Sequence, residues 1–422
     1  MKKYAVVGLG YVGLGLATAL SKKYAVIGYD INKERIEELC DYVDRNNLIT
    51  KDQLCNKNLS YTSHLDDIRV ADFYIVSVAT PAYHYEVPNL HPLISATKDV
   101  GSVIKKGDII VFESTVYPGT TVDICIPILE EISHLKHGVD FHVGYSPERI
   151  SPGDKNYELH NSTKIISAQN EEILKVIQNT YESICGAVYP ISSIGAAEAA
   201  KLLENTQRDV NIALMNEFSK IMHALDLNMH EIIAAASTKK GFTPYKPGFV
   251  GGHCISIDPH YLAFVAKQRG VQPELTLAAR RVNDGMTQFV IQSMMKLIFN
   301  HHIDTETEHF SVGVFGISYK ENVPDMRNSL AIKLLKEIRS YGLRCRAHDP
   351  VVSEAPLKVQ LEEFDALDDL SVAIIVVGHD FYREVGLGEL LKKCKKPPII
   401  MDIPNLFIDE YKQYGDLIYW SL

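Results

Sequence analysis

The sequence predicts an α/β protein in three parts: a parallel-sheet unit, a middle of long helices, and a second, smaller parallel-sheet unit. Three observations predict it. Short, nearly uninterrupted apolar runs alternate with helical patterns from the start to about residue 190, as expected of strands buried on both faces between crossover helices. Two long helical patterns with few breaks follow. After a polar stretch, His301–His309, the alternation of apolar runs and helices resumes. At 422 residues the chain exceeds what one core supports, so more than one domain is expected from length alone. The divisions are placed at 1–190, 191–303 and 304–422.

In the first part the strand-like runs are Tyr4–Val7, Ala25–Tyr29, Phe73–Val78, Asp108–Phe112, Phe141–Gly144 and Lys164–Ser167. The middle predicts one helix from Gly195 to about Leu225, shorter helices after it, and another long helix from Pro273 to Asn300 with only Gly285 as a weak breaker. Long helices between two α/β units commonly serve as a spine and an oligomer interface, so a homodimer is expected. Strands of the last part are predicted at Phe310–Gly316, Arg344–Ala347, Val372–Val377 and Ile399–Asp402.

A formal charge of -10 argues against a nucleic-acid-binding surface. An anionic substrate would need a few placed Lys and Arg side chains against that background. Cysteines at 40, 55, 125, 185, 254, 345 and 394 form no CxxC pair, so neither a zinc knuckle nor a thioredoxin-like site is indicated. Met1-Lys2-Lys3 runs straight into a strand without a hydrophobic signal region, and no apolar run is long enough to cross a bilayer. A cytoplasmic protein with reduced thiols and no membrane contact is expected.

Gly8-Leu9-Gly10-Tyr11-Val12-Gly13 follows the first strand and opens a helix. Glycines there allow a tight turn, close approach of a pyrophosphate and close packing of helix on strand, with the helix N-terminus facing the phosphates. Asp30 ends the next strand, where an acid holds ribose hydroxyls and repels a 2′-phosphate. NAD is therefore expected rather than NADP. Thr80, in Val78–Pro81, and Ser114 and Thr115 follow strand carboxyl ends, the side on which open α/β sheets bind ligands. Ordinary turn and cap roles are the alternative for them.

The segment Pro247-Gly248-Phe249-Val250-Gly251-Gly252-His253-Cys254-Ile255-Ser256-Ile257-Asp258-Pro259 sets a cysteine in a glycine-rich loop with a carboxylate four residues on. A thiolate so placed can attack a carbonyl and form a covalent intermediate. The spacing of His253, Cys254, Asp258 and His260 matches no zinc pattern, and no metal is expected. With a hydride acceptor in the same chain, the pattern suggests an alcohol oxidised through an aldehyde to an acid.

These motifs, in this order along nearly the whole chain, resemble the nucleotide-sugar 6-dehydrogenase family, which includes UDP-glucose and GDP-mannose dehydrogenases. Ser146-Pro147-Glu148-Arg149, Ala197–Asn205 and Tyr319-Lys320-Glu321-Asn322 with Asp325-Met326-Arg327 complete the match. The resemblance implies two successive oxidations of a sugar C6 alcohol with two NAD⁺. Cys254 would trap the aldehyde as a thiohemiacetal that becomes a thioester. Lys201 and Asn205, at i and i+4 on one helix face, would stabilise oxyanion charge. Asp258 would position or activate water, Glu148 would assist proton transfer, and Thr115 would orient a water molecule. A solvated helix face is the competing reading of Lys201, opposed by its neighbours Ala196, Ala197, Ala199 and Ala200. A salt bridge is the competing reading of Glu148.

By the same resemblance the UDP-sugar would meet Glu148, Arg149, Lys201, Asn205, the loop Tyr245-Lys246 with Gly248 and Gly251, and Tyr319 and Lys320. Arg280 would reach across a subunit interface, with Arg281 an equal candidate, and Arg327 would reach the cofactor or close an inter-domain cleft. Ser146–Arg149 followed by Pro152-Gly153-Asp154 resembles the branch acting on UDP-N-acetylhexosamines, with UDP-GlcNAc favoured or UDP-GalNAc, for capsule, Vi-type or O-antigen polysaccharide. UDP-glucose or UDP-ManNAc is the alternative substrate. A hydroxyacid or 6-phosphogluconate-type dehydrogenase and a non-catalytic nucleotide-sugar sensor are the rival classes. The family loop usually reads Cys-Ile-Gly-Val-Asp-Pro-Tyr-Tyr. This chain has Ser256, Ile257 and His260 instead, and Leu330 where proline is common.

Overall fold

The computed structural model describes residues 2–46, 49–82, 87–149, 159–305, 309–353 and 361–422. Pro152-Gly153-Asp154 and part of the linker His301–His309 lie outside them. The chain divides into two compact units, Met1–Glu204 with His260–Gln272, and Asn205–Pro259 with Pro273–Leu422.

The first unit is built on an eight-stranded sheet: β1 (Lys3–Val7), β2 (Ala25–Tyr29), β3 (Leu59–Thr62), β4 (Phe73–Val76), β5 (Ile109–Phe112), β6 (His142–Tyr145), β7 (Thr163–Ala168) and β8 (Ala187–Pro190). Their order is β3-β2-β1-β4-β5-β6-β7-β8, all parallel except the β6–β7 pair. Every residue of β4 and β5 is buried, the reason these segments read as continuous apolar runs. The strand order reverses between β1 and β4, which opens a crevice at their carboxyl ends.

The second unit holds a parallel five-stranded sheet: β9 (Val312–Phe315), β10 (Cys345–His348), β11 (Val372–Ile375), β12 (Ile399–Asp402) and β13 (Ile418–Ser421), in the order β10-β9-β11-β12-β13. Met286, Val290, Ile291, Met294 and Ile298 of the helix Met286–Asn300 join one core cluster with β9, β11, β12 and the helix Leu330–Ser340. Each such aliphatic side chain taken fully out of water contributes roughly 1.5–3 kcal/mol.

The fold class is the one predicted: an N-terminal Rossmann unit, long central helices and a Rossmann-like C-terminal sheet. The first long helix runs Ile194–Ala224. The second is two helices, Glu274–Asp284 and Met286–Asn300, because Gly285 ends one by donating to the Arg281 carbonyl and starts the next. Among the described residues no helix is long and apolar enough to cross a membrane.

Candidate active site

At the carboxyl end of β1, Gly8 turns the chain at φ +91°, and its N–H donates to the Tyr29 carbonyl on β2. A Cβ on Gly13 would stand 1.9 Å from the Gly8 carbonyl oxygen, whereas one on Gly10 would meet nothing within 4 Å. Gly8 and Gly13 are thus required by the turn itself, whereas no protein atom crowds Gly10. The helix Tyr11–Ser21 begins without a side-chain cap, so its first N–H groups have no intrahelical acceptor and suit a pyrophosphate. Asp30 accepts the Leu9 N–H on one oxygen (2.8 Å) and the Asn32 N–H on the other (2.9 Å). Each oxygen keeps a lone pair for a ribose hydroxyl. The residues present therefore fit a dinucleotide with a free 2′-hydroxyl. Thr80 donates to the Thr115 carbonyl and Ser114 to the Val78 carbonyl, both at 2.7 Å, which ties the two turns together beyond adjacent β4 and β5.

Two supports of this crevice went unread in the sequence. Arg35, 5% exposed, donates from Nε to the Leu9 carbonyl (3.1 Å) and pairs with buried Asp44 at 2.7 Å. In Lys33-Glu34-Arg35 it reads as an ordinary charged helix start. Removing it as Arg35→Met takes from buried Asp44 the cation at 2.7 Å and should cost about 3 kcal/mol of stability. The KM for NAD should rise as well. An unchanged melting temperature and KM would contradict the assignment. Glu198 on the central helix, fully buried, accepts the N–H groups of Gly119 (2.7 Å) and Thr121 (2.9 Å) and so holds the turn after Thr115. A lone Glu among alanines was its only signal.

Glu148 stands 3.8 Å from the Lys164 ammonium. Lys164 is therefore a basic neighbour of Glu148. Arg149 pairs with Glu204 at 2.8 Å and donates to the Thr163 carbonyl at 2.7 Å. The Lys201 side chain is almost wholly buried, and its ammonium has no hydrogen bond or ion pair among the described residues. The solvated-face reading of Lys201 is therefore excluded.

In the second unit the cysteine loop is pinned from two sides. Asn216 donates to the Gly248 carbonyl (3.0 Å) and accepts the Gly248 N–H (2.8 Å), while its amide also donates to Asn283 at 2.8 Å. Asn283 in turn donates to Asp209 at 2.7 Å. Arg280 belongs to the same buried network, with one arm on Asp209 (2.6 Å) and the other on Asp284. As placed, Arg280 holds helices together within one chain. Exposed Arg281 is the member of the pair left at the surface.

On the other side, a Cβ on Gly251 would lie 2.7 Å from the Asn328 carbonyl, and one on Gly252 (φ +86°) 2.7 Å from the Tyr319 ring. These glycines make room for the segment 319–328, so the protein itself supplies one close approach that the loop sequence suggests for a ligand. Asn328 donates to the Gly252 carbonyl at 3.2 Å. His253 meets Asp325 at 2.9 Å, and Asp325 also accepts Arg327 at 2.7 Å. Burial pulls His253 below the usual histidine value, and the Arg327 charge adds to this. Although burial opposes it, the Arg327 hydrogen bonds hold Asp325 below the ordinary carboxylate range.

Cys254 is half-buried in this loop. Its carbonyl accepts the Asp258 N–H at 2.8 Å as the chain enters the helix Asp258–Gln268. Asp258, 2% exposed, accepts the Asn205 amide at 2.5 Å. Two residues expected in separate roles are thus hydrogen-bonded to each other. Ser256, a departure from the family loop, donates to the Gly252 carbonyl at 2.5 Å and closes the turn around the cysteine. All seven cysteines are free. Burial pushes the thiols of Cys125, Cys185, Cys345 and Cys394 up to about 12, which removes them as nucleophiles at neutral pH.

Next to the loop a cleft of about 330 Å³ opens at the carboxyl ends of β9, β11 and β12. Tyr319 and Lys320 line it, with Gly248, Gly251, Gly378 and Ser329. Ser329 caps the helix Leu330–Ser340 by accepting the Ala331 N–H. The strand order reverses between β9 and β11, so the cleft sits where such sheets bind nucleotides, with a helix N-terminus for phosphate. Tyr245 bonds Gln207 at 3.2 Å, and Lys246 is exposed.

A dinucleotide crevice, a cysteine loop and a second nucleotide-type cleft define an oxidoreductase of nucleotide-linked substrates. Profiles of the UDP-glucose/GDP-mannose dehydrogenase family match the chain in three pieces: the NAD-binding domain at residues 2–185, the central domain at 195–285 and the UDP-binding domain at 313–409. Protein CapL of Staphylococcus aureus is 42% identical over 96% of both chains. The UDP-N-acetyl-D-glucosamine 6-dehydrogenase of Salmonella typhi is 40% identical over 95% of both. The solved structure of a UDP-D-ManNAc dehydrogenase from Pyrococcus horikoshii superposes with a TM-score of 0.89 at 31% identity, covering 99% of this chain and 98% of that one. The chain belongs to the UDP-glucose/GDP-mannose dehydrogenase family.

Proposed function

We propose that this chain is an NAD-dependent UDP-N-acetylglucosamine 6-dehydrogenase that makes a uronic acid for surface polysaccharide in the cytoplasm. The substrate assignment rests on the 40% identity to the Salmonella typhi enzyme of that name across nearly the full length of both chains. Oxidation through to the acid rests on the half-buried Cys254, whose carbonyl accepts the Asp258 N–H, and on the Asp258 carboxylate held by Asn205. The division into an NAD domain at 1–190, a central domain at 191–303 and a UDP-sugar domain at 304–422 belongs to the same proposal.

NAD⁺, held by Gly8–Gly13 and Asp30, would supply the hydride acceptor for each of two oxidations at C6. Lys201, a buried ammonium lacking an anion among the described residues, favours the negative charge that develops on the C6 oxygen. Glu148 takes up the alcohol proton, Thr115 orienting a water for it. The Cys254 thiolate adds to the aldehyde and gives a thiohemiacetal, whose oxidation leaves a thioester. Asp258, held by the Asn205 amide, takes a proton from the water that cleaves the thioester, and the thiol returns. Tyr319, Lys320 and the Tyr245–Gly251 loop hold the UDP, and Gly8–Gly13, Asp30, Thr80 and Ser114 hold the cofactor.

The test is NADH yield per sugar with UDP-GlcNAc, UDP-GalNAc and UDP-ManNAc as single substrates. About two NADH per sugar, fastest with UDP-GlcNAc, is expected. One NADH per sugar would remove the thioester route, and preference for UDP-ManNAc, the substrate named for the Pyrococcus structure, would move the branch.

The protein is proposed to act as a homodimer. Leu214, Phe218 and Ile221, at helical spacing on one stripe of the central helix, and Leu225 just past its end are each at least 42% exposed. An apolar stripe of this length is normally covered. Leu214→Glu with Phe218→Glu should convert the dimer into a folded monomer in sedimentation experiments. A dimer unchanged by the pair would place the interface elsewhere.

A further inference from the structure

The first unit buries a set of charges that the reaction above does not use. Lys164, on β7, is 1% exposed. Its ammonium donates to Glu113 at the end of β5 (2.6 Å) and to the carbonyl of Pro147 (3.0 Å), the residue just before Glu148. The same nitrogen stands 3.8 Å from Glu148 Oε2. Glu113, fully buried, accepts the hydroxyl of buried Tyr181 on its other oxygen. A lysine serving only the core would be satisfied by Glu113 and one more acceptor. Lys164 instead takes as that acceptor the backbone that carries Glu148, and sets its charge beside the Glu148 carboxylate. Burial pulls the Lys164 ammonium down, but Glu113 and Glu148 outweigh it, and the group stays above its ordinary value and charged.

We propose that Lys164 is a positioning residue for Glu148: Glu113 and Tyr181 fix the ammonium, and the ammonium fixes the main chain and carboxylate of Glu148 for proton transfer. The inference rests on the part assigned to Glu148 under the proposed function. It goes further by making the Glu113–Lys164–Tyr181 set an extension of the catalytic machinery into the core of the NAD-binding unit.

The test is a double-mutant cycle against Glu148→Gln. Lys164→Met alone would strand Glu113, so it is combined with Glu113→Gln, which removes that buried carboxylate charge together with its cation. In the wild-type background this pair should lower kcat about 10-fold, the scale of a small misplacement, with the KM for the UDP-sugar nearly constant. In the Glu148→Gln background the same pair should change kcat less than about twofold. Equal loss in both backgrounds, or no loss in the first, overturns the proposal and leaves Lys164 a core residue. Should the pair fail to fold, Glu113→Gln alone carries the test, with a smaller loss of kcat that again vanishes beside Glu148→Gln. A Glu148→Gln enzyme as fast as wild type would overturn the role of Glu148 and this proposal with it. A wild-type enzyme that oxidises none of the three UDP-sugars would instead defeat the proposed function.

Discussion

Cys254→Ser should abolish formation of the acid, with turnover reduced about 10⁴-fold or more, the scale seen when a nucleophile is removed. A serine hydroxyl at neutral pH is a far weaker nucleophile than a thiolate. No other thiol in the second unit can stand in, because burial pushes Cys345 and Cys394 up to about 12. What remains is the first hydride transfer, which needs no thiol. A single-turnover experiment on Cys254→Ser should therefore yield at most one NADH per sugar. Two NADH per sugar at the wild-type rate would show that the acid forms by another route, such as oxidation of a hydrated aldehyde.

Gly13→Ala should do comparable damage for a different reason. The new methyl would sit 1.9 Å from one backbone atom, the Gly8 oxygen, and 3.1 Å from another, the Gly8 carbonyl carbon. No side chain can swing away to admit it, so the turn must open. A stability loss of about 2–3 kcal/mol is expected, with a rise of 10-fold or more in the KM for NAD. Gly10→Ala is the informative partner, since its methyl meets no protein atom within 4 Å. Its melting temperature should match wild type while its affinity for NAD falls. If both variants melt normally, the steric account of the fingerprint is wrong. If Gly10→Ala binds NAD normally, the pyrophosphate does not lie over that glycine.

Much of the fold was legible because the central strands are covered on both faces. β4, β5, β9, β11 and β12 are wholly buried, and each announces itself as an apolar run. The three strands that went unread, β3, β8 and β13, are at or near sheet edges. Leu-Ser-Tyr-Thr mixes buried and open positions, Ala-Val-Tyr-Pro is mostly exposed, and Ile-Tyr-Trp-Ser is half-covered throughout. An edge strand has fewer neighbours to demand apolar residues, so its pattern is weak. Predicted strands also overran at their carboxyl ends, as at Phe73–Val78, because apolar residues continue into the turns that line the crevice.

The candidate site divides along similar lines. Residues whose chemistry depends on type and local spacing, such as Gly8–Gly13 and Cys254, could be picked out directly. Residues that act by holding others could not. Arg35, Glu198, Asn216 and Lys164 bond partners 26, 77, 32 and 51 positions away along the chain. No local pattern encodes such a pairing, and each looks like an ordinary polar residue on a helix or strand.

The packing of Gly251 and Gly252 against Asn328 and Tyr319 bears on how this enzyme can be recombined with its relatives. A chimera joined in the polar linker near residue 304 would bring a foreign nucleotide-binding sheet against the native cysteine loop. Any larger residue facing those glycines, or any shift of the 319–328 segment, would displace the loop that carries the nucleophile. Nucleotide preference and thiol placement are therefore inherited together. An exchange that keeps catalysis must carry 247–259 along with the C-terminal sheet as a single cassette.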